Sequence, residues 1–235
     1  MQGQGIKDLI INSIKIGYRH FDCTADYKNE NEVGEAFKEA FDTGFQISIN
    51  FTALLQTKRN NISGSSLKLN IQSAINGSSK LIIFTSLFVK RENLFITTKL
   101  WNYDHGHVVE ACKDSLKKLQ LDYLDLYLVH FPVSTRHTGV GTTDSALGED
   151  GVLYIDTTIS LETTWHAMEG LVSSGLVRSI GINNYDVFLN RDCLAYSKIK
   201  LAVNQIETHS TAKQKSIIVN SSVLRNCNKA EFLLN

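Results

Sequence analysis

The fold is decided by the stretch Tyr123-Leu-Asp-Leu-Tyr-Leu-Val-His-Phe-Pro132. Within it, residues 124–129 form an apolar run that only Asp125 interrupts. A run that is apolar on both faces is typical of a strand in a parallel sheet covered by helices. Pro132 ends the strand because its nitrogen carries no hydrogen for the ladder. His130 is therefore predicted at the carboxyl end of a central strand, where parallel α/β folds hold their active sites.

Polar residues also stand at the ends of four other predicted strands. These strands are expected at 17–22, 93–99, 176–182 and 202–205, and the residues at or just past their ends are Asp22, Lys99, Asn183, Asn184 and Gln205. Apolar stripes with helical spacing predict helices at 6–16, 29–41, 108–119 and 161–172, with Asp104 as a cap of the third. Strands and helices that alternate in this way indicate a parallel sheet, and in a (β/α)8 barrel the strand ends meet on one rim.

Composition narrows the class of protein. Lys plus Arg and Asp plus Glu number 24 each, so charge favours neither a nucleic acid nor an acidic membrane surface as partner. The four cysteines form no CxxC pair and have no metal-ligand spacing, which predicts reduced thiols and no metal site. The longest apolar run, residues 81–88, is too short to span a bilayer. We expect a cytoplasmic chain without membrane or nucleic-acid partners, and the sequence leaves its oligomeric state open.

Four of the side chains suit acid catalysis at a carbonyl. If Asp22 holds the ammonium of Lys99 close to Tyr27, that charge lowers the pKa of the phenol. Tyr27 then protonates a developing alkoxide, while His130 orients the carbonyl oxygen. Each residue has a purely structural alternative: a buried ion pair for Asp22 and Lys99, a surface position for Tyr27, and a hydrogen-bonded core position for His130.

Two segments differ in amino-acid composition from the rest of the chain. No acidic residue occurs between Asp42 and Glu92, and residues 45–88 are rich in Ser, Asn, Gln and Thr without a sustained period. A long connection without clear elements is unusual in a compact domain. We therefore predict that 45–88 is an inserted, poorly ordered excursion, and that 210–235 forms a polar tail.

Four blocks of sequence resemble the aldo-keto reductase family, most closely its plant members that reduce aldose 6-phosphates. The blocks lie at 17–34 (GYRHFDCTADYKNENEVG), 97–101 (TTKLW), 125–132 (DLYLVHFP) and 178–185 (RSIGINNY). The resemblance covers about 5–43 and 89–209 and implies a partial (β/α)8 barrel with roughly strands 2–6. The implied layout is an incomplete barrel over 1–209, interrupted by 45–88, and a non-family tail at 210–235.

The resemblance also implies roles for individual residues. The catalytic four would be Tyr27, Asp22, Lys99 and His130, with Trp101 and His130 against the substrate. The nicotinamide carboxamide of NADPH (NADP) would be held by Asn183, Asn184 and Gln205. The implied substrate is a small sugar phosphate, an aldose 6-phosphate reduced to the alditol phosphate, or a similar aldehyde.

Departures from the family pattern lead to a further expectation. Thr24 stands where the family has a small Ala or Ser, and Asn183 stands where it has Ser. The family's first strand and its last two strands find no match. We therefore expect the chain as given to be inactive. The alternative is a non-enzymatic fragment that binds an intact paralogue, or a mispredicted or alternatively spliced product without a stable fold.

Overall fold

The structure is a computed structural model that describes residues 3–43, 45–50, 72–76, 80–87, 89–142 and 150–206. The chain divides into two compact units, residues 1–19 with 32–94 and residues 20–31 with 95–235. The helices are α1 (Gln4–Ile16), α2 (Glu30–Thr43), α3 (Val108–Leu119), α4 (Leu161–Ser173) and α5 (Val187–Tyr196). The strands are β1 (His20–Asp22), β2 (Phe45–Asn50), β3 (Gln72–Asn76), β4 (Lys80–Leu87), β5 (Phe95–Leu100), β6 (Leu124–Val129), β7 (Val177–Asn183) and β8 (Asn204–Gln205).

The second unit contains a five-stranded sheet in the order β1-β5-β6-β7-β8, and all neighbouring strands are parallel. This order follows the chain, as it does when successive strands alternate with helices on one side of the sheet. The predicted parallel sheet and its five strand ends are confirmed. In the described part of the chain, β1 and β8 each pair with a strand on one side only.

The polar residue inside β6 has a structural explanation. All six residues of β6 are buried, including Asp125. One oxygen of Asp125 accepts a hydrogen bond from the backbone nitrogen of Ile96 at 2.9 Å, and the other pairs with the guanidinium of Arg178 at 3.1 Å. Arg178 also lies over the ring of Tyr123, 4.1 Å from its centroid. The carboxylate therefore ties β6 to both of its neighbours, β5 and β7.

Local sequence signals set most of the helix ends in this unit. Ser160 caps α4 by accepting from the backbone nitrogen of Thr163 at 3.0 Å, and the Asp186 carboxylate caps α5 in the same way. The predicted cap of α3 is wrong. Asp104 lies in the preceding 3-10 turn, Asn102–Asp104, and the helix begins at Val108 after His107, which makes no side-chain cap.

The first unit contains α1, most of α2 and an antiparallel sheet in the order β2-β4-β3. Our expectation that 45–88 lacks regular elements is wrong for the described residues of that segment, because they form these three strands. The alternation of apolar and polar residues in Phe45–Asn50 was the missed signal. Residues 51–71, 77–79 and 88, like the predicted tail at 210–235, lie outside the described residues. The assignment of 45–88 as an insertion stays a prediction.

Among the described helices, none combines the length and apolar character that crossing a membrane requires.

We expect Asp125→Ala to lower the free energy of unfolding by about 1–3 kcal/mol, since a buried donor then loses its acceptor. The orphaned donor is the backbone N–H of Ile96, and Arg178 loses its partner as well. Urea unfolding measures the change, with Asp122→Ala as the matched control at an exposed position. An effect no larger than that of the control would show that the buried carboxylate does not hold the strands together.

Candidate active site

The carboxyl ends of the five parallel strands bring together most of the predicted site residues. The buried ammonium of Lys99, 4% exposed, donates to Oδ1 of Asp22 at 2.5 Å and to the carbonyl of Cys23 at 3.1 Å. A buried charge is tolerated when an opposite charge and further hydrogen bonds compensate for its lost hydration. The predicted contact between Lys99 and Asp22 is confirmed.

A second hydrogen bond of Asp22 shows how strongly the sheet is curled. Oδ2 of Asp22 accepts from Nε2 of Gln205 at 2.9 Å, although β1 and β8 are the two outer strands of the sheet. In a flat sheet, four strand spacings would separate these strands by about 19 Å. The contact therefore requires the sheet to bend, so that its strand ends face a common centre.

His130 is held as a neutral imidazole at this centre. Burial lowers its pKa to about 4, and the charge of Lys99 lowers it as well, while Asp22 acts in the opposite direction. Nδ1 of His130 lies 3.1 Å from the hydroxyl of Thr24. Above a pH of about 5 the ring is therefore a neutral hydrogen-bonding group.

Aromatic rings fix the position of His130. Trp101 meets the imidazole edge to face, with ring centroids 4.9 Å apart, and Phe131 stacks on it at 4.8 Å. Trp101 also contacts Phe131 edge to face at 6.0 Å. The predicted substrate-binding residues Trp101 and His130 thus lie side by side and form one apolar wall with a polar ring nitrogen.

The three predicted amides differ in their surroundings. Asn183 is buried and donates to Oε1 of Gln205 at 3.0 Å. Asn184 is exposed, adopts a left-handed backbone with φ of 63°, and donates its Nδ2 to the carbonyl of His130 at 3.0 Å. Its Oδ1 accepts no hydrogen bond from any residue that the structure describes. Asn184 therefore presents a fixed acceptor beside His130.

Tyr27 makes no hydrogen bond to the other predicted catalytic residues in the described part of the chain. It ends the 3-10 turn Ala25–Tyr27, its side chain is 59% exposed, and its hydroxyl makes no hydrogen bond to Lys99 within the described ranges. The turn is capped by the Thr24 side chain and is followed by Lys28 in a left-handed conformation. The expected hydrogen bond between Lys99 and Tyr27 is not present among the described residues.

Sequence reasoning missed a polar cavity of about 150 Å3 that shares Lys99 and Trp101 with the site. Glu30, the first residue of α2, is 2% exposed and accepts from the hydroxyls of Thr98 at 2.7 Å and Ser115 at 3.1 Å. Burial raises the pKa of Glu30 despite these hydrogen bonds. The sequence contains the two hydroxyl residues, Thr98 on β5 and Ser115 on α3, but only the folded structure shows that both contact Glu30.

In the described ranges no cluster of three His, Cys, Asp or Glu side chains forms a metal site.

Two substitutions should move the pKa of His130 in opposite directions. Lys99→Met removes a positive charge and should raise this pKa, whereas Asp22→Asn removes a negative charge and should lower it. An NMR titration of the His130 ring measures both shifts, with Lys117→Met at an exposed position of α3 as the control. Shifts of the same sign in both variants would contradict the electrostatic account of the site.

The chain is similar in sequence to proteins of known activity. The sequence model of the Aldo/keto reductase family matches residues 63–230. The NADP-dependent D-sorbitol-6-phosphate dehydrogenase of Malus domestica is 54% identical over 213 residues, which are 91% of this chain and 55% of that protein. Aldose reductase B of Dictyostelium discoideum is 33% identical, over 90% of this chain and 55% of its own length. The chain thus spans about half the length of the curated relatives it matches.

The chain is also similar in structure to solved aldo-keto reductases. The aldose reductase of Giardia lamblia superposes with a TM-score of 0.68 and 33% identity, over 92% of this chain and 57% of that chain. The Bombyx mori aldo-keto reductase in complex with NADP gives a TM-score of 0.64 and 30% identity, over 93% of this chain and 53% of that chain. The curled five-stranded sheet is accordingly part of a (β/α)8 barrel. On the match of the family model to most of its residues, the chain belongs to the aldo/keto reductase family.

Proposed function

We propose that this chain reduces the aldehyde group of an aldose 6-phosphate, or a similar aldehyde, with NADPH as cofactor. The observation that carries the proposal is a neutral imidazole, His130, set beside the ion pair of buried Lys99 with Asp22 at the carboxyl ends of parallel strands. Two relatives support it, since the Malus protein is an NADP-dependent D-sorbitol-6-phosphate dehydrogenase and the Bombyx protein was solved in complex with NADP.

The amide side chains fit the nicotinamide carboxamide. Nδ2 of Asn184 is held by the carbonyl of His130, which leaves Oδ1 of Asn184 as an acceptor for an amide N–H. Gln205 lies next to it along the sheet edge, and buried Asn183 holds Gln205 in place. These three residues would bind the carboxamide, and bound NADPH would supply the hydride. The residues present are therefore compatible with this cofactor.

The chain's own groups would handle the carbonyl oxygen. A neutral His130 can donate one ring N–H to that oxygen and so orient the substrate without adding charge to the wall formed with Trp101. Tyr27 would deliver the proton to the developing alkoxide, and the ammonium of Lys99 would favour loss of the phenolic proton. Because Tyr27 makes no hydrogen bond to Lys99 in the described part of the chain, the phenol and the ammonium would have to come into hydrogen-bond distance for this assistance.

A second candidate function comes from a different class. In the described part of the chain Tyr27 makes no hydrogen bond to Lys99, and both outer strands of the parallel sheet have one unpaired side. An unpaired edge favours pairing with another chain. On this account the protein is a non-enzymatic partner of an intact reductase, and the isolated chain has no turnover, as the sequence analysis expected.

One assay separates the two candidates. With purified chain, NADPH and glucose 6-phosphate or mannose 6-phosphate, the first candidate predicts slow but saturable oxidation of NADPH, whereas the second candidate and the expectation from the sequence predict none. Tyr27→Phe removes the proton donor and should lower kcat by about 100-fold or more, while Tyr18→Phe, at another exposed tyrosine, should leave it unchanged. The same reaction with unphosphorylated glucose tests the need for the phosphate.

Wild-type turnover no greater than that of Tyr27→Phe would contradict the first candidate. Analytical ultracentrifugation with an intact reductase then tests the second candidate, which predicts a mixed complex. Turnover on glucose equal to that on glucose 6-phosphate would retain the reductase but reject the phosphorylated substrate class.

A further inference from the structure

The hydroxyl of Thr24 is fully buried and has two neighbours. The side chain is 0% exposed, and its Oγ1 accepts from the backbone nitrogen of Asp26 at 3.4 Å, which caps the turn that carries Tyr27. The same Oγ1 lies 3.1 Å from Nδ1 of His130. One side chain therefore touches both the imidazole and the turn of the proposed proton donor.

The donor and acceptor roles can be assigned by counting hydrogens. A hydroxyl has one hydrogen to donate, and a buried donor that is left without an acceptor is destabilising. Among the described residues, Nδ1 of His130 is the only acceptor within hydrogen-bond distance of Oγ1. If Nδ1 carried a hydrogen itself, it would point that hydrogen at Oγ1, and the hydroxyl hydrogen of Thr24 would have no acceptor.

We propose that Thr24 is a positioning residue that fixes His130 in a single tautomer, with Nδ1 accepting from the hydroxyl and the hydrogen on Nε2. In the described part of the chain Nε2 has no hydrogen-bond partner. The rings of Trp101 and Phe131 hold the imidazole so that it cannot turn freely to exchange its nitrogens. The N–H on Nε2 is thereby available to a ligand.

The catalytic consequence rests on the proposed function. A carbonyl oxygen needs a donor, and Nε2 in the other tautomer would present a lone pair to it. Because the ring is neutral, it carries a single N–H, and in the other tautomer that N–H lies on Nδ1 and cannot reach the carbonyl oxygen. Thr24 thus decides whether His130 attracts or repels the oxygen, although Thr24 itself touches no substrate atom.

The 15N resonances of the His130 ring test the tautomer without turnover. In the wild-type chain we expect Nδ1 to resonate as an unprotonated nitrogen and Nε2 as a protonated one. Thr24→Val keeps the side-chain shape but removes the hydroxyl, and both resonances should then move toward the average of the two tautomers. Thr24→Ser restores the hydroxyl and should return them to the wild-type values.

A wild-type spectrum with the hydrogen on Nδ1 would overturn the proposal, even if Thr24→Val did not fold. Identical ring resonances in the wild type and Thr24→Val would overturn it as well. Activity is a separate readout: loss of kcat in Thr24→Val with recovery in Thr24→Ser would support the consequence for catalysis. Absence of turnover in the wild type would count against the proposed function and leave the NMR result as the test of the tautomer.

Discussion

The site depends on one hydrogen bond across the sheet, from Gln205 on β8 to Asp22 on β1. β1 and β8 are the two outer strands of the five-stranded sheet, so residues on them can be in contact only if the sheet curls. Curling turns a row of strand ends into an arc, and side chains that would be far apart on a flat edge come within reach of one another. Solved aldo-keto reductase structures superpose on this chain with TM-scores of 0.68 and 0.64.

Asp22 connects this geometry to the electrostatics of the site. One of its oxygens compensates the buried charge of Lys99, and the other anchors Gln205. Burial is the largest cause of the low pKa of the His130 ring, and Lys99 and Asp22 act on that pKa in opposite directions. A neutral ring has two tautomers, which is why a buried hydroxyl at position 24 acquires a role that a small apolar residue could not have.

Much of this arrangement could be predicted from the sequence. An apolar run that ends on a polar residue identifies a buried strand and the end that carries chemistry, so Asp22, Lys99 and His130 were found together. The prediction that Tyr27 lies close to Lys99 did not anticipate the missing hydrogen bond, because a three-residue turn has no periodic pattern and its direction depends on a cap. The burial of Glu30 was missed for a different reason: its partners, Thr98 and Ser115, are remote in sequence and ordinary in composition. The strands of residues 45–88 were missed because a change in composition was weighed above a short alternating pattern.

The central claim is that Asp22 and Gln205 are coupled across the curled sheet. A double-mutant cycle with Asp22→Ala, Gln205→Ala and the double variant measures this directly, since contacts of either residue with Lys99 or Asn183 cancel in the cycle. From urea unfolding we predict a coupling free energy of about 1 kcal/mol, as is typical of a partly exposed hydrogen bond to a charged group. Strictly additive effects of the two substitutions would mean that β1 and β8 do not meet, and would contradict the account.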